Sequence, residues 1–204
     1  MLIYPAKYML PQQARLRSLD ETQTDPSQGG IDHTNRIGFM HKWGIDITTP
    51  KLEYSDVMGL FSFACALGGQ YGQCQMPNPF PAIGVGTQLA LTRGLTAQGS
   101  QQVALFNLHA ATPGVLEPGD FLRFSTHSKV YMVTQTLTSN GAGQGTVSIT
   151  PPLRSDLTQN AGVSTGANVT FIMQLKSDKQ DIQFRADKDR ERAVKIEFVE
   201  FIND

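Results

Sequence analysis

The spacing of apolar residues along the chain changes character more than once. Near the N-terminus, ARLRSL at residues 14–19 carries a weak strand pattern. Residues 21–35 have no such period and collect turn formers, among them DPSQGG, so a long loop is expected there. In RIGFMHKWGIDITTP, Ile37, Phe39, His41, Trp43, Ile45 and Ile47 alternate, which lines them along one face of a strand that Pro50 ends. The period then lengthens in YSDVMGLFSFACALGG, where Val57, Leu60, Phe61, Ala64 and Gly68 share one helical face. Ser55 and Asp56 suit a helix start and Gly68-Gly69 a left-handed stop, so one helix is predicted over about residues 55–68.

Beyond the helix, residues 70–86 hold three glycines and three prolines, and MPNPFPAIG reads as extended chain at a sheet edge or a crossover. From Thr87 the texture is that of strands: QLALTR, QQVALFNL, DFLRFS, KVYMVTQTL, GTVSITPPL and ANVTFIMQL, separated by turn clusters. Five or six short strands without an intervening helix fit a small barrel. The C-terminal DIQFRADKDRERAVKIEFVEFIND predicts two strands around a charged turn at residues 187–192. Val194, Ile196 and Phe198 alternate there, but Val199 and Phe201 fall on the other face, which calls for a bulge or for apolar cover on both faces. The fold class expected is mainly β with one helix, an α+β protein.

Composition narrows function more than fold. The 204 residues are 40% hydrophobic and 17% charged with a net charge of −1, so no overall charge marks a nucleic-acid or membrane binder. The first residues, MLIYPAKYML, lack the unbroken apolar core and cleavage site of a signal peptide, and no run approaches the ~20 apolar residues of a membrane span. Folding in the cytoplasm is therefore expected. Cys65 and Cys74 are the two cysteines, too few for a disulfide framework and expected reduced, with Cys65 acting as a small hydrophobe in the helix.

Catalytic chemistry finds little support. Ser125, Thr126, His127 and Ser128 adjoin one another, but neighbours on a strand point to opposite faces and no GxSxG elbow is present, so the segment reads as a bend. GVG at residues 84–86 lacks the further glycine and the helix of a dinucleotide fingerprint. His33, His41, His109 and His127 show no metal-ligand spacing, and His41 reads as a core or interface residue with one hydrogen bond. No enzyme activity, cofactor or metal is expected. Barrels of this size often bind oligonucleotides or sugars on one face, and Arg93, Arg123, Lys129 and Tyr131 are the candidates for such a face. Their basic residues are sparse and not interleaved with aromatics as in single-strand binders.

The run PGDFLRFSTHSKVYMVT, residues 118–134, resembles the distal tail proteins of long-tailed phages, particularly the short two-domain type. WGI (Trp43-Gly44-Ile45), the helix, Arg93-Gly94 and Gly99-Ser100 follow that family's order, and the likeness extends with gaps over most of the chain. The resemblance implies a β-sandwich domain with one helix from residues 1–85 and 177–204, and an inserted OB-like barrel from residues 86–176. It further implies a homohexameric ring in the virion tail tip that joins the tail tube protein to the hub or baseplate protein and lets phage DNA pass, with no catalytic role and no membrane contact. Asp25 and Gln28 in the long loop, and Asp187, Lys188, Arg190 and Arg192 in the charged turn, are the candidate intersubunit contacts. The alternative expectation is a virion module that binds surface carbohydrate through the barrel.

Overall fold

The computed structural model describes residues 1–8, 13–20, 22–26, 32–36, 41–87, 89–180 and 193–202. Among these residues are two six-stranded sheets, one α-helix and a separate pair of strands, and the fold is mainly β in the α+β class. The first sheet runs β1 (Leu2–Ile3), β6 (Gln73–Pro77), β13 (Thr170–Leu175), β14 (Lys195–Glu200), β5 (Lys42–Thr48) and β2 (Gln13–Leu19), all antiparallel except the β1–β6 pair. Its inner face follows from period two: Trp43, Ile45 and Ile47, then Ile196 and Phe198, then Phe171, Met173 and Leu175, then Cys74 and Met76, all buried. The opposite face is polar. Arg17 Nη2 meets Asp46 Oδ1 at 2.6 Å, and Glu197 sits between Lys176 (2.8 Å) and Lys195 (2.6 Å).

Helix α1 (Tyr54–Ala66) covers part of the inner face with Val57, Leu60 and Ala64. The buried Val57 and Leu60 side chains each contribute roughly 1.5–3 kcal/mol. Asp56 in the first turn complements the helix dipole and pairs with Lys7 Nζ at 2.5 Å. The helix stops where expected, with Gly68 and Gly69 at φ +63° and +71°. Among the described residues no helix is long and apolar enough to cross a membrane.

The second sheet runs β12 (Val163–Thr165), β9 (Phe121–Phe124), β10 (Val130–Val133), β11 (Gly145–Thr150), β8 (Gln102–Phe106) and β7 (Leu91–Thr92). A bridge between Leu91 and Gly162, with Val163 N–H donating to Ala90 O, brings its two ends together as a small barrel. Leu105, Leu122, Phe124, Tyr131, Val133, Val147 and Leu157 fill the interior. All its strands lie between β6 and β13 in the chain, so the barrel is an excursion from the first sheet. Its outer side is not wholly solvated, because Phe121 and Val130 join the first sheet's core.

Several expectations need correction. The loop expected over residues 21–35 contains two strands, β3 (Thr22–Pro26) and β4 (Asp32–Arg36), which pair with each other, Asp25 opposite His33. Polar sequences such as TQTDP carry no alternation, so no period announced them. ANVTFIMQL was expected in the barrel; as β13 it pairs with β6 and β14 of the first sheet. The barrel place goes instead to VST of β12, three residues too short to read as a strand. No bulge interrupts β14, whose register with β5 and β13 is regular; Val199 is half-buried on the outer face, and it is Glu200 that takes the next inward position. Cys65 is exposed and does not serve the helix's buried face, whereas Cys74 is in the core, where burial pushes its thiol up to about 12.

Candidate functional site

The most strongly built polar site lies where the barrel meets the first sheet. Strand β14 carries Glu200 inward at its last position, next to Trp43 across the β5–β14 pairing. Lys129, at the entry to β10, reaches Glu200 Oε2 at 2.5 Å, and the two side chains are 1% and 0% exposed. Glu200 also accepts from Trp43 N–H (3.1 Å) and Val130 N–H (2.9 Å), while Trp43 Nε1–H donates to Val130 O (2.8 Å). Lys129 Nζ stands 5.4 Å from the centroid of the Trp43 ring. Burial pushes the Lys129 ammonium down and the Glu200 carboxyl up, against their mutual attraction. An aromatic chain extends the joint: Trp43 to Phe121 (5.6 Å, perpendicular) and Phe121 to Phe171 (5.4 Å). Charge, hydrogen bonds and rings thus lock one barrel edge to one end of the sheet.

A second fastening holds the crossover. Asp120 accepts from Ile83 N–H (2.7 Å), Gly84 N–H (2.9 Å) and Glu117 N–H (2.8 Å) while only 3% exposed. A Cβ on Gly84 would come within 2.7 Å of Val115 O and 2.8 Å of Asp120 Oδ2, so only glycine permits this approach. Gly119, at φ +100°, turns the chain into position for Asp120. Likewise Gly44 makes room for Arg17, whose side-chain atoms pass 3.2 Å from where its Cβ would be.

Of the four proposed barrel-face residues, the structure leaves two accessible. Lys129 is buried against Glu200, and Tyr131 is buried inside the barrel, its hydroxyl accepting from Arg154 N–H. Lys129 directly precedes β10, at the point where the barrel meets the first sheet, and so is not on an open face. Arg93 is exposed beside β8 and Arg123 lines a groove over β12, but with Lys129 and Tyr131 buried the four form no common face. Among the contact candidates, Asp25 lies on β3; Gln28, Asp187, Lys188, Arg190 and Arg192 fall outside the described residues.

The serine–histidine run is a turn between β9 and β10. His127 packs against Phe124 and Tyr131, and Ser125 Oγ accepts from Gly162 N–H. His41 is buried, with Nε2 3.0 Å from Ser18 Oγ, which itself donates to Asp20. That order puts the hydroxyl between ring and carboxylate, whereas nucleophile activation requires the carboxylate behind the ring. Among the described residues no group of three or more His, Cys, Asp or Glu is placed to hold a metal. The joint was missed at the sequence level, although one signal for it was present: Glu200 breaks the apolar alternation of its strand at an inward position.

No protein-family model matches this chain, and no curated protein matches its sequence.

Proposed function

We propose that the protein is a non-enzymatic structural component of a phage tail tip, a distal tail protein. Six copies close into a ring that joins the tail tube protein to the hub and passes DNA. The observation that carries this reading is the set of β edges that no strand among the described residues of a single copy pairs. The first sheet ends at β2, seven residues long, on one side and at β1 on the other, and the β3–β4 hairpin pairs with no other strand among the described residues. A two-stranded hairpin is marginal in water by itself, and open sheet edges are hazards unless covered. Head-to-tail contacts around a closed axis would cover two different surfaces of every copy at once. The locked joint supports the same reading, because a ring closes only if each copy holds its two surfaces at one fixed angle.

Negative-stain electron microscopy of the purified protein over a concentration series tests this. Sixfold rings with an opening of about 20 Å or more, wide enough for duplex DNA, are expected for the wild type. Replacing residues 22–36 by a short Gly-Ser linker should abolish them while leaving the circular-dichroism spectrum of a folded β protein. Rings that persist in the deletion variant would remove the hairpin from the interface, and monomers in the wild type, with or without tube and hub proteins, would refute the reading.

One observation favours the alternative, a carbohydrate-binding module. A second groove of about 530 Å³ is lined by neutral hydroxyl and amide side chains, including Ser100, Gln102, Thr134, Gln135 and Ser148. Such a lining can donate to and accept from a polyol without a charged group. Saturable binding of host-surface oligosaccharide by a ringless variant would select that reading.

A further inference from the structure

On the outer side of the barrel a groove of about 350 Å³ runs over β12, between β9 and the residues Thr87, Leu89, Ala90 and Leu91. Arg123 and Ser164 are direct cross-strand partners on its floor, and Ser125 lies two residues further on, just past the end of β9. Leu89, Leu91 and Val163 provide aliphatic walls, and Leu89 is 75% exposed. Gly162 keeps the floor open, since it has no side chain at the point where the groove passes.

Arg123 is half-buried here, and burial pulls its guanidinium down from its ordinary value. One N–H of the fork donates to Thr170 O at 2.9 Å, and among the described residues no carboxylate lies within ion-pair distance of it. A half-buried guanidinium that has one backbone hydrogen bond and no anion partly offsets its desolvation, and an anionic ligand in the groove would offset the rest. Its planar fork matches the two oxygens of a carboxylate. The walls suit an aliphatic neighbour of that carboxylate. No aromatic ring lines the groove to stack on a pyranose, which argues against an acidic sugar.

We propose that this groove is a docking site for an acidic peptide segment of a partner protein, a Glu or Asp carboxylate seated on Arg123 and an adjacent aliphatic side chain on Leu89, Leu91 and Val163. The site is formed within one copy of the barrel and does not depend on ring closure.

The test is fluorescence anisotropy of the full-length protein with a dye-labelled Leu-Glu-Leu peptide, its ends blocked, and a Leu-Gln-Leu control. Saturable binding is expected for the acidic peptide, at least tenfold weaker for the neutral one. Arg123→Gln should weaken binding of the acidic peptide about tenfold or more, with Arg123→Lys intermediate because the fork is lost but the charge kept. Gly162→Val should block the groove without disturbing the fold, since a Cβ there meets only Ser125, at 3.6 Å. Equal binding of the two peptides, binding unaffected by Arg123→Gln and Gly162→Val, or no binding at millimolar peptide would each overturn the proposal. So would displacement by glucuronate or inorganic phosphate as effective as by unlabelled acidic peptide, because the site would then be a general anion site.

Discussion

The Lys129–Glu200 pair makes a prediction whose sign is easily mistaken. At 2.5 Å the attraction is about 7 kcal/mol with an effective dielectric of about 20. Removing each ion from water costs several kcal/mol, so the pair as a whole comes close to break-even. The directions of the two titrations agree, since burial outweighs attraction at both groups. The pair therefore adds little net stability, yet either member alone is a serious defect. Lys129→Met leaves a buried carboxylate that still holds two backbone N–H groups, from Trp43 and Val130. Glu200→Leu leaves a buried ammonium and in addition strips both N–H groups of their acceptor, each worth about 1–3 kcal/mol when unsatisfied.

Expected costs are thus about 3 kcal/mol for Lys129→Met and about 5 kcal/mol for Glu200→Leu. The double variant should be less destabilised than their sum and cost about 4 kcal/mol, because it removes both stranded charges but still leaves the Trp43 and Val130 N–H groups without an acceptor. Urea unfolding followed by Trp43 fluorescence gives the three midpoints and the coupling between them. Trp43 is the single tryptophan and lies in the joint, so the probe reports this interface directly. Additive single and double costs, or a Lys129→Met variant within 0.5 kcal/mol of wild type, would refute the account of the joint.

Two other fastenings give simpler expectations. Asp120→Ala removes the acceptor of three backbone N–H groups and should cost about 3 kcal/mol, read as a lower urea midpoint; a change below 0.5 kcal/mol would mean that the crossover is held by other contacts. Glu197, drawn down to about 2 by Lys176 and Lys195, adds stability that is fully present above the ordinary glutamate range and disappears as pH falls through about 2. Solvent screening limits this to under about 1 kcal/mol, so Glu197→Gln should flatten the stability profile slightly between pH 4 and 2, and an unchanged acid limb would refute the assignment.

The legible parts of the fold were those where one face is apolar and the other is not. Trp43, Ile45 and Ile47 announced β5, and Val57, Leu60 and Ala64 announced α1, because burial on one side imposes a period. The hairpin was illegible for the converse reason: TQTDP and DHTNR contain no alternation of apolar and polar residues that periodicity could reveal. The error over β13 has another cause. Phe171, Ile172 and Met173 form a continuous buried run, which fits a central strand of either sheet, and only the pairing with Cys74 and Met76 decides between them. Lys129 misled because a lysine is ordinarily a surface residue, and its partner lies 71 positions away at the far end of the chain.

What the joint does for the molecule follows from that distance. Hydrophobic contact between Phe121, Phe171 and Trp43 would hold the barrel to the sheet, but apolar surfaces tolerate small rotations because dispersion has no direction. Glu200 adds direction: its two oxygens take N–H groups from different sheets, Trp43 in β5 and Val130 in β10, while Trp43 Nε1–H returns to Val130 O. Those three bonds can be satisfied together at only one relative angle, and departing from it leaves buried donors unpaired at about 1–3 kcal/mol each. A nearly neutral ion pair is then retained for orientation more than for stability. The double variant described above separates the two roles, since it should remain folded while losing that directional constraint. In the proposed ring of identical copies, a few degrees of play per subunit would accumulate around the axis, so if the wild type forms rings, those of the double variant should be less uniform in diameter. Equally uniform rings would show that the neighbours, and not the joint, set the angle.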